Sequence, residues 1–370
     1  MRGGSLIQLC SGRYFQGSGV LSHLGEEARL LGGRALVVAD AAVWPKVGSA
    51  VSAALAGAGA AFTYHPFSGH CSPGAYGAAA RAGAAWGADC VVGVGGGRAL
   101  DTAKIASDKL GVRAITVPTC AATCACSAWL SVEYTDEGAF VGNYWTRYPP
   151  FSVIADLDIL LGDCPQRLNW AGIVDAMAKY PEIQYNLLHS GQWEQNVFSQ
   201  TAGELAKSTF YRLLEHRAAL ASDLAAARPT PLLEDCLCAA MQLTGLISSL
   251  ACGGKQAAVS HMLYSYFCCH RRPLARAFLH GELVGASLVY QLAVNGADEG
   301  EAAALEDFLR ARGMPACLED LGLLHTPEEA EALFSFLRER MPVETPEELL
   351  RLRSKEHILF QGLSQRKESL

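Results

Sequence analysis

Three consecutive glycines, Gly95, Gly96 and Gly97, stand between a segment that predicts a strand (90–94) and one that predicts a helix (99–109). Glycine lets the backbone approach a pyrophosphate closely, and a helix N-terminus offers free N–H groups and the positive end of a dipole. The loop is neither a G-x-G-x-x-G fingerprint nor a Walker loop, and a plain tight turn could use the same residues. Its place between a strand and a helix favours phosphate binding.

A carboxylate, Asp40, closes the apolar run at 35–39. At the end of a strand, it can accept hydrogen bonds from both hydroxyls of an adenosine ribose and would repel a 2′-phosphate. This interpretation favours NAD over NADP. The same residue could simply cap the helix that follows it. The nearby glycine loop strengthens the cofactor interpretation.

Three residues in the later, helical part of the chain could form a metal site. Asp175 lies in an apolar helical segment, where an unpaired carboxylate would be costly. His261 lies on another apolar helix, and His280 begins a third. One carboxylate and two imidazoles would leave a coordination position open, as in catalytic zinc sites. The alternative is that each histidine is an ordinary core residue with a satisfied hydrogen bond.

Thirteen cysteines are the other candidate ligands. Cys120, Cys124 and Cys126 form a C-x3-C-x-C cluster, but no second C-x2-C pair accompanies it, as structural zinc sites usually require. The odd number and the size of the chain argue against a disulfide framework. We expect most of these thiols to be small, buried and reduced.

Alternating strand and helix signals fill the first 160 residues. Strands are predicted at 35–40, 60–64, 90–94, 113–117 and 151–155. Helices are predicted at 43–56, 73–86 and 99–109, and a hairpin joins 131–135 to 139–144. This alternation predicts βαβ units and a parallel sheet, in which ligands bind beyond the carboxyl ends of the strands.

After Pro165 the strand signals disappear. Helices are predicted at 170–188, 204–227, 232–251, 283–294, 302–312 and 327–340. We therefore predict two domains, an α/β domain over 1–163 and a helical domain over 164–370.

Composition excludes several classes of function. Acidic residues outnumber basic ones 37 to 30, which gives a formal charge of −7 and argues against nucleic-acid binding. The longest apolar runs are strand-sized, and the N-terminus has no apolar signal-peptide core. We expect a cytoplasmic protein without a membrane span.

Several segments together resemble a known family. Residues 93–104, G-V-G-G-G-R-A-L-D-T-A-K, resemble the G-x-G-G-G-K-x-x-D-T-A-K signature of the glycerol dehydrogenases. These belong to the metal-dependent ("iron-containing") alcohol dehydrogenase superfamily, together with dehydroquinate synthase. Further segments resemble other blocks of glycerol dehydrogenase, namely 38–44, 117–119, 131–138, 171–176 and 280–282.

The resemblance implies a Rossmann-like N-terminal domain and an all-α C-terminal domain, as in dehydroquinate synthase, with NAD and a metal meeting in the cleft between them. Asp175, His261 and His280 would bind the metal at the catalytic centre. The NAD site would be lined by Asp40, Gly95, Gly96, Gly97, Asp101, Thr119, Thr123, Leu130 and Tyr134.

The resemblance also bears on which metal is bound. Iron-dependent relatives usually carry a fourth ligand, a histidine one helical turn after the aspartate. Here that place is taken by Lys179, which does not ligate a metal while protonated. The pattern therefore resembles the zinc branch, with iron or another divalent metal as the alternative.

Three departures from the family concern the substrate. Glycerol dehydrogenases typically read S-T-D-A-P where this chain reads A-T-C-A-C over 122–126, so Cys124 replaces an aspartate that contacts the substrate hydroxyl. A thiol is a weaker acceptor than a carboxylate, which puts glycerol itself in doubt. Tyr264 stands where the family tends to have a second histidine, and His70 replaces a common acidic residue.

The resulting hypothesis is an NAD- and zinc-dependent oxidoreductase acting on a small alcohol or vicinal diol. One alternative is a dehydrogenase or cyclase for a phosphorylated polyol, like glycerol-1-phosphate dehydrogenase or dehydroquinate synthase, with Arg271 and Arg272 holding the phosphate. Another is a catalytically weakened binding protein of the same fold. The resemblance also implies a homo-oligomer.

Overall fold

The structure, a computed structural model, describes residues 9–162, 164–189, 196–251, 257–341 and 345–363. The strands are β1 (Arg13–Gly17), β2 (Arg34–Asp40), β3 (Ala61–Phe67), β4 (Cys90–Gly95), β5 (Arg113–Pro118), β6 (Leu130–Tyr134), β7 (Phe140–Trp145) and β8 (Ser152–Asp156). The first helices are α1 (Leu24–Leu30), α2 (Trp44–Gly57), α3 (Pro73–Trp86), α4 (Gly97–Leu110) and α5 (Leu157–Leu161).

The later part of the chain contains the other described α-helices. They are α6 (Gln166–His189), α7 (Val197–Glu215), α8 (Arg217–Ala225), α9 (Pro231–Cys238), α10 (Thr244–Leu250), α11 (Val259–His270), α12 (Arg272–Ala277), α13 (His280–Gly285), α14 (Leu288–Asn295), α15 (Glu299–Arg310), α16 (Pro327–Arg340), α17 (Pro346–Ser354) and α18 (Glu356–Gln361). None of these described helices combines the length and apolar character that a membrane span needs.

A six-stranded parallel sheet forms the centre of the N-terminal part, in the order β1-β8-β5-β4-β2-β3. Every residue of β4 and β8 is buried, as expected for strands covered on both faces by helices. The hairpin is present as the antiparallel pair β6-β7. The predicted fold class, a parallel α/β sheet followed by helices, is confirmed.

Local sequence explains where the helices of this layer begin and end. The Ser72 hydroxyl accepts a hydrogen bond from the Ala75 N–H at 3.4 Å, and Pro73 occupies the first turn of α3. The same helix ends at Gly87, whose φ of +68° is left-handed.

The chain divides into two compact units. The first unit contains the described residues of Met1–Asn169 and Ala219–Ser249, and the second contains those of Trp170–Ala218 and Leu250–Leu370. The sequence-based boundary followed residue 163 and assigned all of 164–370 to one domain, which differs from these units. Hydrogen bonds connect residues 219–249 with the rest of the first unit. The Gln16 side chain donates to the Glu234 carbonyl at 2.7 Å, and the Ser127 hydroxyl donates to the Met241 carbonyl at 2.6 Å.

Some long predicted helices are interrupted in the structure. The stretch predicted at 232–251 contains a π-helix, Ala239–Leu243, between α9 and α10. Inside it, the Met241 carbonyl accepts the hydrogen bond from Ser127, and the Thr244 hydroxyl donates to the Ala239 carbonyl at 2.8 Å. The widened turn therefore offers its carbonyls to side chains instead of to the regular helix ladder.

Candidate functional site

The glycine loop of the first unit presents an uncapped helix N-terminus. β4 ends at Gly95, and α4 follows with Gly96 at its N-cap position and no side-chain capping bond. Gly95 has a φ of +145°, and a Cβ there would lie 2.9 Å from Ala99 Cβ and 3.1 Å from Asp40 Cβ. Only glycine fits this position without strain. The loop and the 14-residue helix behind it therefore have the form of a phosphate cradle.

The loop after β5 packs against these glycines. The Thr119 N–H donates to the Gly95 carbonyl at 3.1 Å. A Cβ on Gly97 would lie 3.0 Å from Thr123 Oγ1, so a larger residue would crowd that hydroxyl. The structure thus brings Thr119 and Thr123 next to the glycine loop.

Asp40 lies at the carboxyl end of β2, beside Gly95. Its Oδ1 accepts a hydrogen bond from the Ala42 N–H at 2.9 Å, which stabilises the turn into α2. The interpretation of Asp40 as the N-cap of α2 is wrong, because Val43 holds that position without a side-chain cap; the Asp40 bond lies in the turn before it. This bond is compatible with a ribose contact, because a carboxylate can accept several hydrogen bonds.

Asp101 lies further from the loop and has partners within the protein. Its buried carboxylate accepts from the Val132 N–H at 3.0 Å and lies 2.9 Å from Lys104 Nζ. The Lys104 ammonium donates to the carbonyls of Ala128 at 3.0 Å and Leu130 at 2.6 Å. Asp101 and Leu130 are therefore brought together by contacts that attach the hairpin to α4.

Cys124 and Tyr134 are each held by a backbone hydrogen bond. Cys124 is partly exposed and begins a short 3-10 helix, and its carbonyl accepts from the Ser127 N–H at 3.0 Å. Tyr134 ends β6, where its N–H donates to the Cys71 carbonyl at 2.9 Å. Their contacts with substrate and NAD stay predictions.

The second unit brings Asp175 of α6, His261 of α11 and His280 of α13 together. One potential ligand atom from each lies within 4.8 Å of the others. Asp175 Oδ1 is 3.2 Å from His261 Nε2 and 3.3 Å from His280 Nε2. The carboxylate side chain is 5% exposed and the two imidazoles are 17% and 29% exposed, so the cluster opens to solvent on the histidine side.

Gly281 explains how His280 reaches α6. A Cβ on Gly281 would lie 1.8 Å from the Ala171 carbonyl oxygen, so the first turn of α13 meets the backbone of α6 directly. Glu282, the next residue, accepts a hydrogen bond from the Leu279 N–H at 2.8 Å and stabilises the start of α13. The His-Gly-Glu sequence thus supplies a candidate ligand in His280, a close helix contact at Gly281 and a cap in Glu282.

Glu182 is a site residue that the sequence reasoning missed. It is fully buried, and its Oε1 accepts from the N–H groups of His261 at 2.8 Å and Ala258 at 2.9 Å. Burial raises the pKa of Glu182, but His261 and Lys179 outweigh it, and the net direction is downward. The ionised carboxylate then accepts a hydrogen bond from His261 Nδ1 over 2.5 Å, which directs Nε2 at Asp175. Such a carboxylate commonly orients a metal-bound histidine.

Lys179 completes the polar face of α6. Its Nζ lies 3.5 Å from Asp175 Oδ1 and 3.2 Å from His261 Nε2, and its side chain is 6% exposed. Burial alone would raise the pKa of Asp175, but the Lys179 ammonium and His280 hold that pKa well below its usual range. Burial lowers and Glu182 raises the pKa of His261, with a net upward direction. The Asp175 carboxylate is therefore ionised, which is the form that could bind a cation.

The other candidate groups have these surroundings. The Arg271 guanidinium forms an ion pair with Glu329, which also accepts from the Tyr266 hydroxyl at 2.7 Å. Tyr264 packs edge-on against His280, with ring centroids 4.3 Å apart.

Within the described ranges, the cysteines are all free, and Asp175, His261 and His280 form the one group of three or more that could hold a metal.

The three converging side chains fit a catalytic divalent metal. Imidazole nitrogens and a carboxylate oxygen suit zinc and also iron. The Glu182 contact leaves the Nε2 of His261, the atom nearest Asp175, as the ligand atom. Three protein ligands would leave room for a substrate oxygen.

Comparison with known proteins indicates the family of the chain. Residues 11–156 match the family model of the iron-containing alcohol dehydrogenases. Over 318 residues the chain is 34% identical to a glycerol dehydrogenase of Escherichia coli, covering 84% of this chain and 83% of that protein. It is 29% identical over 320 residues to a glycolaldehyde reductase of Halobacterium salinarum, covering 86% and 85%.

A solved structure shares the fold. The crystal structure of glycerol dehydrogenase from Schizosaccharomyces pombe superposes with a TM-score of 0.81 at 20% identity, over 99% of this chain and 93% of that one. Together with the sequence matches, this shows that the chain belongs to the iron-containing alcohol dehydrogenases, as a glycerol dehydrogenase-like member of that family of oxidoreductases.

Proposed function

We propose that the protein is an NAD-dependent, zinc-dependent dehydrogenase that interconverts a small alcohol or vicinal diol and its ketone or aldehyde. The observation that carries the proposal is the convergence of Asp175, His261 and His280, with their ligand atoms within 4.8 Å of one another. A homo-oligomer in the cytoplasm, with a small molecule as its substrate, is part of the same proposal.

The residues of the second unit would hold the metal and keep its ligands in place. Asp175, His261 and His280 would bind it, and Glu182 would accept the hydrogen bond from His261 Nδ1, so that Nε2 is the nitrogen directed at the site. When bound, the divalent ion would act as a Lewis acid toward the substrate hydroxyl, and NAD would accept the hydride. Iron or another divalent ion could bind the same nitrogen and oxygen donors.

The residues of the first unit would hold the cofactor. Gly95, Gly96 and Gly97 let the backbone approach the pyrophosphate, while the start of α4 supplies N–H donors and a positive dipole end. Asp40 would accept from the ribose hydroxyls, and its charge would disfavour NADP. Asp101, Thr119, Thr123, Leu130 and Tyr134 would line the rest of this site.

Cys124 would face the substrate in place of an aspartate. A thiol accepts hydrogen bonds weakly, so a substrate with fewer hydroxyls than glycerol would lose less by the exchange. The pairing of Arg271 with Glu329 favours an unphosphorylated substrate, because the guanidinium already has an anionic partner.

A substrate screen tests the proposal. Purified protein loaded with zinc would be assayed by NADH absorbance over simple alcohols, vicinal diols, polyols, hydroxyketones and their phosphates. We expect turnover with a small unphosphorylated alcohol or diol and a preference for NAD. A strict requirement for a phosphorylated substrate would instead support a glycerol-1-phosphate dehydrogenase-like enzyme. Binding of zinc and NAD without turnover over the whole panel would support a binding protein.

A further inference from the structure

Lys179 is a cation placed among the ligand atoms of the proposed metal site. Its Nζ lies 3.5 Å from Asp175 Oδ1 and 3.2 Å from His261 Nε2. Its side chain is only 6% exposed, so water screens the ammonium poorly. The ammonium and a bound divalent cation would therefore be close neighbours.

The hydrogen-bond pattern places the ammonium in direct competition with a metal. His261 Nδ1 lies 2.5 Å from Glu182, so a metal would bind the ring at its other nitrogen, Nε2, in the unprotonated form. An ammonium has only donors, so the Lys179 contact uses the same lone pair that a metal would need.

The charge balance of the buried groups points the same way. Asp175 and Glu182 are buried carboxylates, and Lys179 is a buried cation that offsets one of their two charges. A divalent ion would balance both carboxylates by itself, and Lys179 would then be an excess positive charge. Like charges at short range in a poorly solvated site repel each other strongly.

We propose that Lys179 is a resident cation, which holds the ligand set together when no metal is bound and lowers the affinity of the site for divalent ions. This inference rests on the proposed function, because it takes Asp175, His261 and His280 as the metal ligands. With Lys179 present, the bound metal would exchange more readily than it would at the same three ligands without the lysine.

Zinc affinity, measured by competition with a chelator, tests the inference. The variants are Lys179→Met, which keeps the length and removes the charge, and Lys179→Arg, which keeps the charge. We expect Lys179→Met to bind zinc at least about tenfold more tightly than wild type. The same substitution should lower the melting temperature of the metal-free protein, because a buried carboxylate loses its partner. Lys179→Arg should stay close to wild type in zinc affinity.

The outcomes separate this inference from the proposed function. If wild type binds one zinc and Lys179→Met binds it equally well or more weakly, the inference is overturned and the metal site stands. If neither protein binds zinc, both are overturned. Should metal-free Lys179→Met not fold, the rate of zinc release from protein purified with zinc replaces the equilibrium measurement. Slower release than from wild type supports the inference, and equal or faster release overturns it.

Discussion

Glu182 gives His261 its role. A histidine has two ring nitrogens. When one of them donates a hydrogen bond, the other is left to bind a metal. Glu182 accepts from both the ring and the backbone of His261, so it defines the tautomer and the orientation of the ring together. This contact is a more specific argument for metal binding by His261 than is the position of His261 on an apolar helix.

Glu182→Gln should therefore weaken metal binding without removing a ligand. We expect zinc affinity to fall by about 10- to 100-fold, because an amide holds the imidazole less firmly and removes one negative charge. Chelator competition measures the change. Glu204→Gln, on the exposed side of α7, is the matched control and should leave the affinity unchanged. An unaltered affinity in Glu182→Gln would show that His261 needs no such support.

Asp40→Asn separates the two interpretations of Asp40. The amide oxygen can still accept the hydrogen bond from the Ala42 N–H, while the negative charge that repels a 2′-phosphate is removed. We expect the ratio of kcat/KM for NAD over NADP to fall by at least about tenfold. The melting temperature should change little. A ratio equal to that of wild type, in a folded protein, would mean that Asp40 only stabilises the turn before α2.

Among the elements, the strands of the sheet were largely predictable from sequence, and the interruptions of the helices were not. The sequence segments that form β2, β4, β5 and β8 are apolar and bounded by turn residues, so their pattern alone indicates buried strands. β1 was missed because Arg13–Gly17 is short and mixes polar with aromatic residues, and it becomes a strand by pairing with β8. The π-helix at Ala239–Leu243 accepts a hydrogen bond from Ser127, a residue far away in the sequence, and no local pattern predicts that contact.

Close contact between α13 and α6 depends on one glycine. Gly281→Ala would place a Cβ 1.8 Å from the Ala171 carbonyl, so the two helices must separate. Overpacking of this kind costs about 1–3 kcal/mol or more, and the displacement moves His280 away from Asp175. We expect a lower melting temperature and less bound zinc.

The control for this substitution is Gly57→Ala at the end of α2, where a Cβ meets nothing within 4 Å. It should leave both quantities near their wild-type values or raise stability slightly. Normal stability and a full complement of zinc in Gly281→Ala would contradict the close-packing account.

For the molecule as a whole, sequence motifs indicated the family and the three candidate ligands, but not the groups around them. Asp175, His261 and His280 are far apart in sequence, and the resemblance alone indicated that they meet. Glu182 and Lys179 left only a weak signal, since together with Asp175 they recur at i, i+4 and i+7 on the apolar helix α6. Their partners on α11 come from tertiary packing, which no local pattern specifies.

The extent of the units also needed the structure. A composition change near residue 165 indicates where the helical part begins. It does not indicate that Ala219–Ser249 returns to the first unit, because that return is a matter of tertiary packing, which includes the hydrogen bond between Gln16 and Glu234.

The central claim is that Asp175, His261 and His280 bind the metal on which catalysis depends. Its most direct test is the zinc content of His280→Ala, measured together with NADH formation and with the shift in melting temperature on adding zinc. His216→Ala, an exposed histidine of the same unit, serves as the control. We predict that His280→Ala loses bound zinc, turnover and the zinc-dependent shift, while His216→Ala keeps all three. Wild-type zinc content and near-normal turnover in His280→Ala would contradict the account.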